Sequence, residues 1–306
     1  MRLPSIALVV ATATLQGACA RSEPASAPAA AWAPPPESAI PADSFGASVR
    51  RGLALLRFTP ESLPQYAQSN LRCTSCHQED GRKATAAPLV TTHARFPRYL
   101  SRTGAVVTVQ DRVNYCFTRS LAGNALPPGS REMSDIVAYL AFLAKGAPVG
   151  EDLPGAAGIP AMAERLSGDS ARGAELFTTT CTVCHGKDGA GVGPGFPALW
   201  GPRSFSIGAS MARQERAAAF IYRNMPQDKP GSLTPQQAFD LAAFVTSHPR
   251  PDSPGKDADY PGGDAPPDVP YPTAGHAAFK PPKLLPRQNP KGAVVPAPPS
   301  ARRGAQ

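Results

Sequence analysis

The sequence predicts an all-α protein made of two tandem copies of one helical unit, followed by an extended proline-rich tail. Three observations carry this. Apolar residues recur at helical spacing in several segments, and strand-like alternation is nearly absent. A series of signals in the first half returns in the same order in the second. Arg51-Gly-Leu-Ala-Leu-Leu56 returns as Arg172-Gly-Ala-Glu-Leu-Phe177, and Cys73-Thr-Ser-Cys-His77 as Cys181-Thr-Val-Cys-His185. Asp80-Gly81 returns as Asp188-Gly189, Pro88-Leu89 as Pro197-Ala-Leu199, and the closing amphipathic stretch Met133–Leu143 as Ala238–Thr246. Finally, 37 of the 306 residues are proline, and many of these lie outside the two units.

Residues 1–20 read as a secretory signal. Arg2 supplies the positive end, Pro4–Leu15 the apolar run, and Ala18-Cys-Ala20 the small residues of a cleavage site. Acylation of Cys19 is the rival reading, and Gln16 is a poor residue for it. Either way the product is expected in a bacterial periplasm. The apolar run is too short to span a membrane, and no other segment is a transmembrane candidate. Residues 21–44, with Pro34-Pro-Pro36, are expected to form a flexible Ala/Pro linker. The first unit covers 45–147, a linker 148–163, and the second unit 164–250. The tail, 251–306, is poor in periodic apolar residues. The formal charge of +8 suits an anionic partner or substrate. No run of Lys and Arg interleaved with aromatics occurs, which argues against nucleic acid.

Each Cys-x-x-Cys-His motif points to covalent haem: Cys73 and Cys76, and Cys181 and Cys184, form thioethers, while His77 and His185 ligate iron. A zinc site or redox dithiol does not require the adjacent histidine in both copies. The expectation is therefore two haem c groups in two cytochrome c-like domains. In the second, Met225 in Asn224-Met-Pro226 lies just before the closing helix, where a thioether ligand is expected. Met211 is the competing candidate, with core packing as its blander reading. The first domain lacks such a methionine. Alternative alignments put Leu126 or Leu121 there, and Met133 belongs to the amphipathic closing helix.

Cys116 is the candidate for the missing ligand, at nearly the same distance from His77 as Met225 from His185. Arg112 at i−4 and Arg119 at i+3 are expected to share its helical face with Ser120, and cations favour a thiolate. A buried apolar thiol is the other reading, and spacing and charge do not separate the two. Arg95, Arg98, Arg102, Arg112 and Arg119 cluster with only Asp111 opposing them. Arginine forks suit oxyanions or haem propionates. Arg102 and Arg112, which flank the cysteine, are assigned to substrate. His93, His248 and His276 are read as surface or packing residues.

The region from about Phe45 to Pro272 resembles the dihaem thiosulfate dehydrogenases of the TsdA type. The resemblance rests on Asp111-Arg-Val-Asn-Tyr-Cys-Phe-Thr-Arg-Ser120, Glu132-Met-Ser-Asp-Ile-Val-Ala-Tyr-Leu140, Ala198-Leu-Trp-Gly-Pro202 and Phe205-Ser-Ile-Gly-Ala-Ser-Met-Ala212. Thr246-Ser-His-Pro-Arg-Pro251 and Ala265-Pro-Pro-Asp-Val-Pro-Tyr271 complete it. It implies that residues 251–271 pack on the body. It further implies oxidation of two thiosulfate ions to tetrathionate, with His77/Cys116 on the catalytic haem 1 and Arg102, Arg112 and Ser120 beside it. His185/Met225 on haem 2 would be the exit to a cytochrome c or similar acceptor. Where some members carry a competing lysine, this chain has Asn224. The residues alone leave open a plain dihaem electron carrier, a SoxA-like sulfur-oxidation subunit and a dihaem peroxidase. They do not fix the reaction's preferred direction.

Overall fold

In the computed structural model, which describes residues 32–275 and 282–287, the two repeats are closed by the same helix crossing. The helices of seven residues or more among the described residues are α1 (Ser44–Arg57), α2 (Val109–Tyr115), α3 (Arg131–Leu143), α4 (Ser170–Thr180), α5 (Gln214–Asn224) and α6 (Pro235–Ser247). Most begin at a side-chain cap. Asp43 accepts from the Gly46 N–H at 2.8 Å, Ser130 from Met133 at 3.1 Å and Thr234 from Gln237 at 3.2 Å. Such caps contribute about 1 kcal/mol each.

The crossings depend on glycine. A Cβ on Gly52 of α1 would lie 2.0 Å from the Asp135 carbonyl oxygen on α3. On Gly173 of α4 it would lie 2.1 Å from that of Asp240 on α6. The preceding arginine clamps the same aspartate. Arg51 donates from Nε and Nη2 to Asp135, both at 2.7 Å, and Arg172 to Asp240 at 2.8 and 2.9 Å. The Arg-Gly repeat is thus two parts of a three-residue device whose third member is an aspartate on the closing helix.

Val49, Leu53 and Leu56 of α1 meet Ile136, Tyr139, Leu140 and Leu143 of α3 in the first core, each at most 4 % exposed. Full burial of such side chains contributes roughly 1.5–3 kcal/mol apiece. That core also takes in Phe205, Ile207, Tyr260, Val269 and Tyr271, so the first unit is completed by a loop of the second and by the tail. Leu121 and Leu126, which stand where a ligand was sought, are core residues, as is Met133. The second unit has smaller clusters around Phe239 and Phe177.

As expected, strands are few. β1 (Arg98–Leu100) pairs antiparallel with β2 (Ala105–Val107), and β3 (Arg250–Pro251) pairs parallel with β4 (Leu284–Leu285).

The segments between units are more fixed than composition suggested. The linker placed at 21–44 ends in packed chain: Ile40 is buried, and Glu37 pairs with Arg57 at 2.7 Å. The linker at 148–163 is strapped down. Gly150 N–H donates to Ala94 O at 2.9 Å, Thr91 Oγ1 to Ala156 O at 3.1 Å and Arg216 to Ile159 O at 3.0 Å. Backbone groups along these segments find partners on the body, which proline content does not reveal. From the end of the second unit onward, residues 251–271 pack against the body, with Arg250, just before them, and Tyr271 both fully buried. Arg287 donates to the carbonyls of Ala122 and Gly123, just past the turn that carries Cys116. The leader, Cys19 and His276 lie outside the described residues.

Candidate functional site

Cys116 opens a five-residue π-helical turn, Cys116–Ser120, that continues α2. Such turns insert a residue into the helical repeat and recur at functional sites. The insertion changes which neighbours reach the thiol. Arg112 does, with Nη1 3.3 Å from Cys116 Sγ. Arg119, expected on the same face, instead places Nη1 and Nη2 at 2.7 Å from the two oxygens of Asp259. The α-helical period used to place Arg119 does not hold through this turn. Nor does Asp111 oppose the arginines: it accepts from the Thr108 backbone at 2.9 Å, capping α2.

The tertiary fold brings Cys116 close to His77, near enough for the imidazole to favour the thiolate. Burial raises the thiol pKa, but Arg112 and His77 outweigh it and bring the group down to about 6. Cys73 and Cys76 lie near enough to feel its charge, and burial pushes both up to about 12. Of these three thiols Cys116 is the one whose surroundings favour the thiolate.

Both Cys-x-x-Cys-His motifs form a short helical turn ending at the histidine. His77 Nδ1 lies 2.5 Å from Ala87 O, and His185 Nδ1 lies 3.0 Å from Pro197 O. A backbone carbonyl on Nδ1–H leaves Nε2 as the nitrogen available to a metal in each repeat. Burial also lowers the His185 pKa, favouring the neutral ring. Cys181, Cys184 and His185 line a cavity of about 950 Å³ whose walls include Phe177, Phe220, Ile221 and Leu241. Its size and apolar lining fit a macrocycle. Among the described residues no three His, Cys, Asp or Glu side chains converge in the manner of a metal site.

Met211 and Met225 both line that cavity. Met211 packs against two apolar clusters, whereas Met225 belongs to neither and caps the end of α5. Asn224 beside it is fully buried and committed elsewhere: it accepts from Thr85 Oγ1 at 2.8 Å and donates to Thr85 O at 3.0 Å. Behind the cavity wall, Arg250 donates to Val245 O and stacks 4.4 Å over Phe205, while its Nε and Nη1 have no partner. A buried guanidinium with free donors suits an anionic partner, such as a carboxylate.

A second, smaller cavity of about 180 Å³ is lined by Arg102, Arg112, Arg119 and Ser120, with Arg213 and Tyr260. The structure therefore brings Arg102, Arg112 and Ser120 together. Arg102 is held by Tyr260 Oη at 3.1 Å and Gly208 O at 2.9 Å. Arg95 and Arg98 turn away to Asp152. His248 stacks on Trp200 with ring centroids 4.1 Å apart, a packing role as expected.

Sequence reasoning missed Arg213, Asp259, Asp268, Tyr260 and Tyr271. Asp259 is buried, accepts from Tyr271 Oη at 2.7 Å and holds Arg119; Asp268 accepts from Arg213 Nε at 2.7 Å. Asp268 and Tyr271 lie within the quoted motif Ala265–Tyr271, and Arg213 directly follows another, so the signal was present but had no spatial meaning.

Comparison with known proteins agrees with this layout. The SoxA/TsdA cytochrome c domain family matches residues 65–149, and the cytochrome c family matches residues 170–249. The chain is 43 % identical over 240 residues to the thiosulfate dehydrogenase of Psychrobacter arcticus, covering 77 % of this chain and 73 % of that protein. It is 40 % identical over 233 residues to that of Allochromatium vinosum, covering 73 % and 86 % respectively. Among solved structures, thiosulfate dehydrogenase (TsdBA) from Marichromatium purpuratum superimposes with a TM-score of 0.69 at 34 % identity. That match covers 74 % of this chain and 51 % of the solved one, so this chain spans about half of it. With two tandem cytochrome c domains and these relatives, the chain belongs to the thiosulfate dehydrogenase family.

Proposed function

We propose that this protein oxidises two thiosulfate ions to tetrathionate in a bacterial periplasm. The observation that carries the reading is the contact of Arg112 with Cys116 at 3.3 Å, beside a cavity lined by further arginines. Arg102 and Arg112 hold the sulfonate end of the first thiosulfate, and Ser120 borders the site. Bringing two dianions together is opposed by their repulsion, and fixed guanidinium groups lower that cost.

The Cys116 thiolate bonds to the outer sulfur of thiosulfate. An S–S bond forms and two electrons leave, giving Cys–S–S–SO3⁻. A second thiosulfate attacks the sulfur next to Cys116. The Cys–S bond breaks, tetrathionate departs, and the thiolate is restored. Two haem c groups, held by Cys73, Cys76, His77 and Cys116 and by Cys181, Cys184, His185 and Met225, would accept the electrons and pass them from the first to the second and on to a cytochrome c or similar acceptor. Catalysis is reversible, so the same residues serve tetrathionate reduction.

The test is thiosulfate-dependent reduction of an artificial acceptor by purified haem-loaded protein, with tetrathionate quantified. One tetrathionate per two electrons is expected. Acceptor reduction absent in wild type, or undiminished in Cys116→Ala, refutes the reading and favours a plain electron carrier.

A further inference from the structure

The arginine cavity has two walls. Arg112, Tyr115, Arg119 and Ser120 come from the chain that carries Cys116, and Arg102 from the β1–β2 hairpin; Gly208, Ser210 and Arg213 come from the second unit. Their donors are not equally available. Arg119 spends both terminal nitrogens on Asp259, and Arg102 spends Nε and Nη1 on Tyr260 and Gly208. Arg213 is gripped by Asp268 through Nε and Nη2, at 2.7 and 2.6 Å, which leaves Nη1 uncommitted and orients the whole fork. Arg213 is the guanidinium that the second unit contributes to this cavity.

Building on the reaction proposed above, we infer that Arg213 binds the second thiosulfate. Displacement at the persulfidic sulfur requires the incoming nucleophile in line with the breaking Cys–S bond. It must therefore arrive from the side that the Cys116 turn does not supply. That side is the second-unit wall, where Arg213 neutralises part of the incoming dianion and Ser210 lies exposed at the lip. The first thiosulfate, held by Arg102 and Arg112, does not depend on it. The site is then composite: one repeat forms the S–S bond, and the other delivers the group that cleaves it.

The experiment separates the two half-reactions in oxidised haem-loaded protein without external acceptor. With one equivalent of thiosulfate, wild type should reduce its haems and carry one thiosulfate on the Cys116 peptide, read by mass spectrometry. With excess thiosulfate it should release tetrathionate and regain free Cys116. Arg213→Gln should reduce its haems at the wild-type rate but release tetrathionate about tenfold or more slowly, with the adduct persisting. Ser210→Glu, which leaves the Arg213–Asp268 pair intact, should do the same through charge repulsion. Arg213→Lys should restore part of the release. Equal slowing of both half-reactions in Arg213→Gln, or normal release in Ser210→Glu, overturns the inference. If wild type shows no adduct at all, it is the covalent step of the proposed reaction that fails, whatever the variants do.

Discussion

Asp259 accepts both terminal nitrogens of Arg119, each at 2.7 Å, and so ties the proline-rich tail to the turn that begins at Cys116. The carboxylate is only 3 % exposed and also accepts from Tyr271. Asp259→Asn keeps the shape but leaves a buried guanidinium without its counter-charge. The expected cost is about 3–5 kcal/mol. Thermal unfolding of the haem-loaded variant should show a lower midpoint, and the thiosulfate KM should rise as Arg119 and Arg102, whose Nε lies 3.8 Å from Asp259, lose their common anchor.

Cys116→Ala should leave both Cys-x-x-Cys-His motifs intact. Haem content by pyridine haemochrome should therefore match wild type. Tetrathionate formation should fall by about 10³-fold or more, because the group proposed to form the bond is gone. Normal haem loading with lost turnover separates the chemical role from a folding defect.

Gly52→Ala and Gly173→Ala test the two helix crossings as a matched pair. Each added methyl meets a carbonyl oxygen of the closing helix, at 2.0 and 2.1 Å. The crossing must open, and overpacking of this kind costs about 1–3 kcal/mol or more. Both variants should unfold at lower denaturant concentration than wild type. An unchanged midpoint would refute the close approach.

Asp135 and Asp240 govern an acid dependence. Burial acts to raise the Asp135 pKa, but hydrogen bonds from Arg51 and Ser48 outweigh it, so it lies below the usual carboxylate value. Asp240 is lowered chiefly by Arg172. For a depressed carboxylate the stabilisation is present above the unfolded value of about 3.9 and is lost as pH falls through the folded one. Asp135→Asn should therefore be less stable than wild type at pH 7, and the difference should shrink as pH falls below the unfolded value and through the lowered folded one. Denaturation curves across pH 2–7 check the convergence.

Arg250→Met gives a test by sign. Nε and Nη1 of this buried guanidinium have no protein partner. With a haem carboxylate as their partner, removing the charge destabilises the loaded protein and lowers its unfolding temperature. Without one, the apolar replacement relieves an uncompensated buried charge and raises it.

The helical class, the two repeats, the haem motifs and the approximate position of Cys116 were legible in the sequence. Each depends on residues a few positions apart, or on a pattern repeated along the chain. The Arg51 and Arg172 signals were visible as a repeat, yet their aspartate partners were not, because they lie across a helix crossing. Arg112 was placed correctly by helical spacing and Arg119 was not, since the π turn at Cys116–Ser120 breaks that spacing.

By itself the sequence singled out the candidate groups for the chemistry: two Cys-x-x-Cys-His motifs, an additional thiol and a set of arginines. Only the tertiary structure decided which arginines converge. It sent Arg95 and Arg98 to Asp152, gathered Arg102, Arg112 and Arg119, and added Arg213 from the second unit. It also turned the tail from an apparent appendage into the wall that holds them, through Asp259 and Asp268. The physical reason is that guanidinium groups bind whichever carboxylate the fold presents. That presentation depends on how the first core is completed by Phe205, Tyr260 and Tyr271, residues far away in the chain.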